Sequence, residues 1–428
     1  MLLRVGRREG DRGTTGTITI DLKLPLDGSL TSLLIHEGLL YVLNEAGFKP
    51  VTPARRFTLL EDGFVSVLEK LDDGRLDSMN IASVGKNDNQ SITRLIDRLK
   101  VKRGKKGAKI TKFSELLKLI KEGRREKLTI SSEIEIAAKI TKGKMFIGGL
   151  PQTKVEDEGR EVGSKEKRKK GKKKVVARDA DSKGITFQIF KTERYTGLTS
   201  SEHLYTDKQL TTYMSPETVL LGLLGLYSSF VTTSENMHYM LFFSPEEAGY
   251  VLSGVKDVRT MFLLKDKVRV TLEKIIRRGY SEELIVTETL LNIELQNLLR
   301  KYNIRSIMFI LLRLAREGQT YKVYQHVPLA FYERALQEQW LGLAEILDPD
   351  GVVLARLSRS NNPEYSNLVS VIMGVYRYVI LGDHGGLYTA IRELHNAYLK
   401  VSNEKVGGNI AKRYSYLLHN LSRLAHQM

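Results

Sequence analysis

Residues 215–246 decide the fold class, and they read SPETVLLGLLGLYSSFVTTSENMHYMLFFSPE. Ser215-Pro216-Glu217 and Ser244-Pro245-Glu246 each combine a serine N-cap, a proline at the first helical position and a carboxylate in the first turn. This combination predicts two helix starts. The apolar segment His238–Phe243 between them predicts a strand. The stretch therefore predicts an α+β fold.

Outward from this stretch, the patterns predict a mixed α/β N-terminal region and an all-helical C-terminal bundle. Strands are predicted at Thr14–Leu24, Phe57–Leu60, Phe64–Leu68, Lys127–Ile140 and Ile185–Phe190, and helices at Leu30–Leu43, Ser91–Leu99 and Phe113–Ile120. From about Asp266 we predict helices with stripes at Leu284–Leu298, Leu387–Tyr398 and Ile410–Leu424, packed around a central helix at Ile304–Leu314. The predicted domains are an α/β part at 1–150, a basic flexible insertion at 151–184, a continuation of the α/β part at 185–265 and a helical bundle at 266–428.

Composition predicts an intracellular globular protein. The chain has 428 residues, 42% of them hydrophobic, and no cysteine. It can therefore bury a substantial core, and disulfides, thiolate zinc sites and thiol catalysis are excluded. Abundant Lys, Arg and Glu fit a thermophilic source. The longest apolar stretch, Val219–Tyr227, is far shorter than the roughly 20 residues of a membrane span, so we expect a cytoplasmic protein without membrane contact.

Positive charge is concentrated in residues 91–184. This segment holds 29 Lys or Arg against 13 Asp or Glu, whereas the flanking parts are close to balanced within a net charge of +17. A concentrated cationic segment favours a polyanionic partner, because neutralised phosphates release counterions. Nucleic acid is the predicted partner.

Two basic runs are the candidate binding residues. The first leaves a predicted helix for a loop punctuated by Gly104 and Gly107, and its cations are Arg94, Arg98, Lys100, Lys102, Arg103, Lys105, Lys106, Lys109 and Lys112. The second lies within Lys165–Lys174 and comprises Lys167, Arg168, Lys169, Lys170, Lys172, Lys173 and Lys174. A solvated loop without a partner is the alternative for the first run, and a solubility tail the alternative for the second.

Catalytic patterns are few, and we predict no catalytic residue, metal or cofactor. The chain lacks a phosphate-binding loop, a dinucleotide fingerprint, a paired-histidine metal helix and a nucleophile elbow. Asp383-His384-Gly385-Gly386 places a histidine beside a carboxylate, but a connection between two helices explains it better. Asp348-Pro349-Asp350-Gly351 is typical of a tight turn. Acid pairs such as Glu246-Glu247 fit first turns of helices.

The organisation of the chain resembles the large subunit of archaeal type I-A CRISPR interference complexes. The resemblance spans the mixed N-terminal region, the basic interruption, Phe190–Thr199, Leu220–Phe243 and a helical C-terminus with Ile391–Tyr398. It implies a non-enzymatic subunit that contacts guide RNA and target DNA and helps to recognise the flanking motif. It also implies that guide-capping, backbone and small subunits and a helicase-nuclease are partners.

Two other function classes stay open from the residues. One is a metal-dependent nuclease or RNA-processing enzyme whose acidic residues gather only in the fold. The other is a general nucleic-acid or ribonucleoprotein scaffold.

Overall fold

The structure, a computed structural model, falls into two units. The first comprises residues 1–225 with 318–321, and the second comprises 226–317 with 322–428. The residues that the structure describes are 16–46, 55–72, 74–81, 86–99, 101, 110–123, 130–141, 144–148, 184–190, 211–277, 298–317, 320–332, 356, 361–381, 383–402 and 408–426.

Two three-stranded sheets belong to the first unit. In one, β1 (Thr17–Leu22) pairs antiparallel with β2 (Arg56–Leu60) and parallel with β3 (Glu133–Ile136). In the other, β5 (Lys144–Ile147) pairs antiparallel with β4 (Ala138–Thr141) and parallel with β6 (Thr211–Met214). The helices of this unit are α1 (Leu30–Ala46), α2 (Glu61–Glu69), α3 (Lys86–Arg98), α4 (Phe113–Gly123) and the start of α5 (Pro216–Ser229).

Helices α1 and α5 form the centre of this core. Every residue from 30 to 43 of α1 is buried, so the helix is enclosed on all sides. The two helices approach backbone to backbone at Gly38 and Gly225, where an added Cβ would lie 1.8 Å from a carbonyl oxygen of the other helix. Only glycine fits at this crossing, because any larger residue would push the helices apart.

The second unit contains a four-stranded sheet in the order β10-β9-β8-β7. Its strands are β7 (Phe230–Ser234), β8 (Met237–Phe243), β9 (Ser306–Glu317) and β10 (Thr320–Tyr332). Helices α6 (Pro245–Leu252) and α7 (Val258–Arg277) follow β8 in the chain, and α7 packs against β7. The C-terminal helices are α8 (Tyr365–Leu381), α9 (His384–Ser402) and α10 (Gly408–His426), and they pack consecutively.

The α+β class and the C-terminal helical region are confirmed, but the predicted helix at Ile304–Leu314 is wrong. This segment lies mainly in β9, where Phe309, Leu311 and Arg313 pair with one alternating set of β8 residues. The intervening residues of β9 are buried as well. An apolar run buried on both faces of a sheet has the same composition as a buried helix, so periodicity does not separate the two.

Other local predictions also differ from the structure. Phe64–Leu68 lies in helix α2 rather than in a strand, because Phe64, Val67 and Leu68 share one buried helical face behind an acidic first turn. In the predicted strand Ile185–Phe190, only Ile185 pairs, with Met214, and Gln188–Phe190 forms a 3₁₀ turn. The predicted boundary at Asp266 falls inside α7. The predicted stripe Leu284–Leu298 lies outside the described residues except for Leu298.

No helix in the described part of the chain has the length and apolarity needed to cross a bilayer.

Candidate nucleic-acid interface

The first basic run is framed by two helices of the first unit. Helix α3 contains the start of the run and buries Ile92, Leu95 and Ile96 along one face. The chain then leaves α3 through Val101, whose backbone N–H donates to the Ile96 carbonyl (3.0 Å). Val101 is itself buried. The start of the run is therefore fixed to the protein core.

Helix α3 carries Arg94 and Arg98. Both side chains are partly exposed, as expected for cations beside a buried stripe. The helix is also held at its buried face, where the Ser91 hydroxyl accepts a hydrogen bond from the Thr186 backbone N–H (3.4 Å). These two arginines thus project from a fixed helix of the core.

The other end of the run is held against residues 79–81. Ile81 N–H donates to the Thr111 carbonyl (2.8 Å), and Phe113 N–H donates to the Met79 carbonyl (3.2 Å). Asn80 and Lys112 form an antiparallel bridge between these two bonds. Lys112 therefore lies in a short two-stranded contact directly before α4.

The carboxylate of Glu115, in the first turn of α4, also hydrogen-bonds to this end of the run. One oxygen of Glu115 accepts hydrogen bonds from Thr111 N–H (2.7 Å), Lys112 N–H (3.1 Å) and the Thr111 hydroxyl (3.2 Å). Burial alone would raise the pKa of Glu115, but the backbone hydrogen bonds from Thr111 and Lys112 outweigh it and lower the pKa below its usual value. Glu115 is therefore ionised at neutral pH.

The structure describes three of the predicted binding residues, Arg94, Arg98 and Lys112. All three lie at the two ends of the first run. The remaining candidates lie outside the described residues, and they are Lys100, Lys102, Arg103, Lys105, Lys106, Lys109, Lys167, Arg168, Lys169, Lys170, Lys172, Lys173 and Lys174. The structure thus shows how the two ends of the first run are held. The binding of nucleic acid by these residues stays a prediction.

Sequence reasoning missed Glu115. The available signal was its position, because a glutamate at the third residue of a helix commonly accepts from the N–H of the N-cap residue. Here the N-cap is Lys112, and the pattern extends by one residue to Thr111. The contact with residues 79–81 has no comparable local signal, because about 30 residues separate the partners.

The acid–base candidate at the start of α9 has a structural role. The Asp383 carboxylate accepts from Gly385 N–H (2.9 Å) and is paired with Arg377. Gly386 packs against the backbone of Gly374 in α8, where an added Cβ would lie 2.4 Å from its oxygen. These contacts agree with a tight connection between two helices. Among the described residues, no three His, Asp or Glu side chains cluster closely enough to hold a metal ion.

An open cavity of about 320 Å³ lies in the second unit, beside the start of α7. Its charged lining includes Lys256 and Asp257. The Lys256 ammonium group donates to the buried carboxylate of Glu247 (2.5 Å), and the Asp257 carboxylate caps α7 by accepting from Thr260 N–H (2.9 Å). Both of these charged groups are therefore hydrogen-bonded within the protein. No residue predicted to bind a ligand lines this cavity.

A protein of Archaeoglobus fulgidus is 34% identical to this chain over 421 residues, which cover 94% of the chain and 98% of the relative. The chain belongs to the same protein family as this archaeal relative. The relative is described as an uncharacterized protein, so membership of this archaeal family supports the shared fold without assigning an activity. No family model and no solved structure matches the chain.

Proposed function

We propose that the chain is a non-enzymatic nucleic-acid-binding subunit that uses its first basic run as the main contact with phosphates. The observation that carries this proposal is the composition of residues 100–112, which hold seven Lys or Arg and no Asp or Glu. Because the segment itself contains no acidic residue to offset these cations, its composition favours a polyanionic partner. The described ends of the segment are fixed to buried structure, so a bound backbone would be held against the first unit.

The more specific proposal is the large subunit of a type I-A CRISPR RNA-guided complex. It rests on the resemblance in organisation. The archaeal relative is compatible with an archaeal complex of this type but assigns no function. In this role the chain binds guide RNA and target DNA in the cytoplasm and contacts the guide-capping, backbone and small subunits and the helicase-nuclease. The basic run then supplies affinity for nucleic acid without reading its sequence.

A pair of charge-matched variants tests the binding proposal. Replacing Lys102, Arg103, Lys105 and Lys106 by alanine removes four cations from the run, and we expect affinity for duplex DNA to fall by about tenfold or more at 0.1 M salt. The control replaces four exposed cations of the second unit by alanine, namely Arg259, Lys274, Lys412 and Arg423. Equal losses in both variants would show that total charge, and not this segment, binds DNA.

Affinity purification from the native host tests the CRISPR assignment separately. We expect the chain to co-purify with short guide RNAs of uniform length and with a repeated backbone subunit. Recovery with ribosomal or heterogeneous RNA and no repeated subunit would favour a general scaffold instead.

A further inference from the structure

We propose that Glu115 is a positioning residue for nucleic-acid binding, which clamps the end of the basic run so that Lys112 is presented in one fixed geometry. This inference rests on the proposed function of the run. It assigns a role in binding to an acidic residue, although acidic side chains ordinarily oppose contact with phosphates.

The clamp engages the backbone at Thr111 and Lys112. One Glu115 oxygen takes the N–H groups of Thr111 and Lys112 and the Thr111 hydroxyl, at 2.7–3.2 Å. N–H groups at the start of a helix have no partner within the helix, so a carboxylate placed here satisfies them and favours one conformation of the entering chain. Charged acceptors make stronger hydrogen bonds than neutral ones.

The opposite side of the same chain segment is held independently. The Thr111 carbonyl accepts from Ile81 N–H, and the next residue but one, Phe113, is fully buried and donates to Met79. The segment Thr111–Lys112 is therefore hydrogen-bonded to residues 79–81 through its carbonyl side and to Glu115 through its N–H groups. Removal of the Glu115 carboxylate would break the hydrogen bonds from the Thr111 and Lys112 N–H groups. The hydrogen bond from Ile81 N–H to the Thr111 carbonyl would remain.

Positioning and simple electrostatics predict opposite outcomes for loss of Glu115. If only charge matters, removal of a carboxylate near the run should strengthen binding to DNA. If Glu115 positions the run, binding should weaken, since the freed segment must be ordered again when the complex forms. Glu122 is the matched control, because it is an exposed acid in the last turn of the same helix.

The test compares Glu115→Ala and Glu122→Ala in the full chain, with a duplex DNA probe titrated at several salt concentrations. We expect Glu115→Ala to bind about fivefold more weakly at 0.1 M salt, with the slope of log affinity against log salt smaller in magnitude by about 1, the value of one lost phosphate contact. Glu122→Ala should bind as well as the parent or slightly better, with an unchanged slope. A merely destabilised protein would lower the active fraction and leave the slope unchanged.

Hydrogen exchange in the absence of DNA gives a second measurement. The backbone N–H groups of Thr111 and Lys112 should exchange at least about tenfold faster in Glu115→Ala, while that of Ile81 should stay protected. Glu115→Gln keeps an acceptor oxygen and should fall between the parent and Glu115→Ala in both measurements. It also provides a folded variant if Glu115→Ala melts early.

The outcomes separate the two proposals. A parent protein that binds DNA, together with Glu115→Ala and Glu122→Ala that bind alike, would overturn the role of Glu115 and leave the proposed function standing. A parent that binds no nucleic acid at low salt would overturn the proposed function and this role with it.

Discussion

Replacement of Gly225 by alanine tests the packing of the α1–α5 crossing. A Cβ at Gly225 would lie 1.8 Å from the Leu34 carbonyl oxygen, whereas ordinary contacts begin near 3.4 Å. The helices must therefore separate by about 1.5 Å, because a helical carbonyl cannot rotate aside as a side chain can. The strain affects buried neighbours, including Leu221 and Leu224.

The size of the effect follows from two opposing contributions. Overpacking costs about 1–3 kcal/mol and sometimes more, and a clash with backbone belongs at the upper end of that range or above it. Alanine returns about 1 kcal/mol of helix propensity relative to glycine. We expect a net loss of about 2 kcal/mol or more in the free energy of unfolding, which corresponds to a fall in Tm of at least about 4–8 °C for a unit of this size.

Thermal melting followed by circular dichroism measures this effect, with Gly408→Ala as the control. Gly408 opens helix α10, and an added Cβ there would meet nothing within 4 Å. We expect the Tm of Gly408→Ala to equal or slightly exceed that of the parent. Equal Tm values for Gly225→Ala and Gly408→Ala would refute the close crossing of α1 and α5.

Three further predictions concern charge. Burial lowers the pKa of His238 to about 4, so the unfolded chain takes up a proton that the folded chain does not as pH falls from about 6.5 to 4. The protein should lose about 3 kcal/mol of stability across this window, and His238→Gln should remove that part of the pH dependence of Tm. Arg356→Ala should cost about 3–5 kcal/mol in urea unfolding, because Arg356 donates to the fully buried carboxylate of Glu364 (2.5 Å). Arg377→Ala breaks the more exposed pair with Asp383 and should cost much less, because solvent screens exposed charges. Deletion of 165–174 should weaken DNA binding less than the quadruple alanine variant does, since the proposal places the main phosphate contacts in the first basic run, whose described ends are hydrogen-bonded to the first unit.

Features set by neighbouring residues were predicted well. The serine at each of the two helix starts caps its helix, with Ser215 accepting from Thr218 N–H and Ser244 accepting from Glu247 N–H, both at 3.2 Å. Capping involves residues three apart, so the sequence alone contains the signal. The α+β class followed from these helix starts and from the strand between them.

Features set by distant residues were not predictable in the same way. The helical prediction for Ile304–Leu314 failed because pairing with β8, about 70 residues earlier, decides its conformation. Glu247 fits the first turn of a helix, yet it is buried between Lys256 and the Met308 N–H. Likewise, the sequence shows the charge of the first basic run. It does not show the backbone hydrogen bonds that join the end of this run to residues 79–81.

The salt dependence of DNA binding tests the central claim most directly. Seven cations in residues 100–112 set an upper limit of seven phosphate contacts from this segment. At about 0.9 per contact, we expect a slope of log affinity against log salt between about −4 and −6 for duplex DNA, reduced by about 3 in the variant without Lys102, Arg103, Lys105 and Lys106. A slope near zero, or one that the variant leaves unchanged, would contradict the proposal that this basic run binds the phosphate backbone.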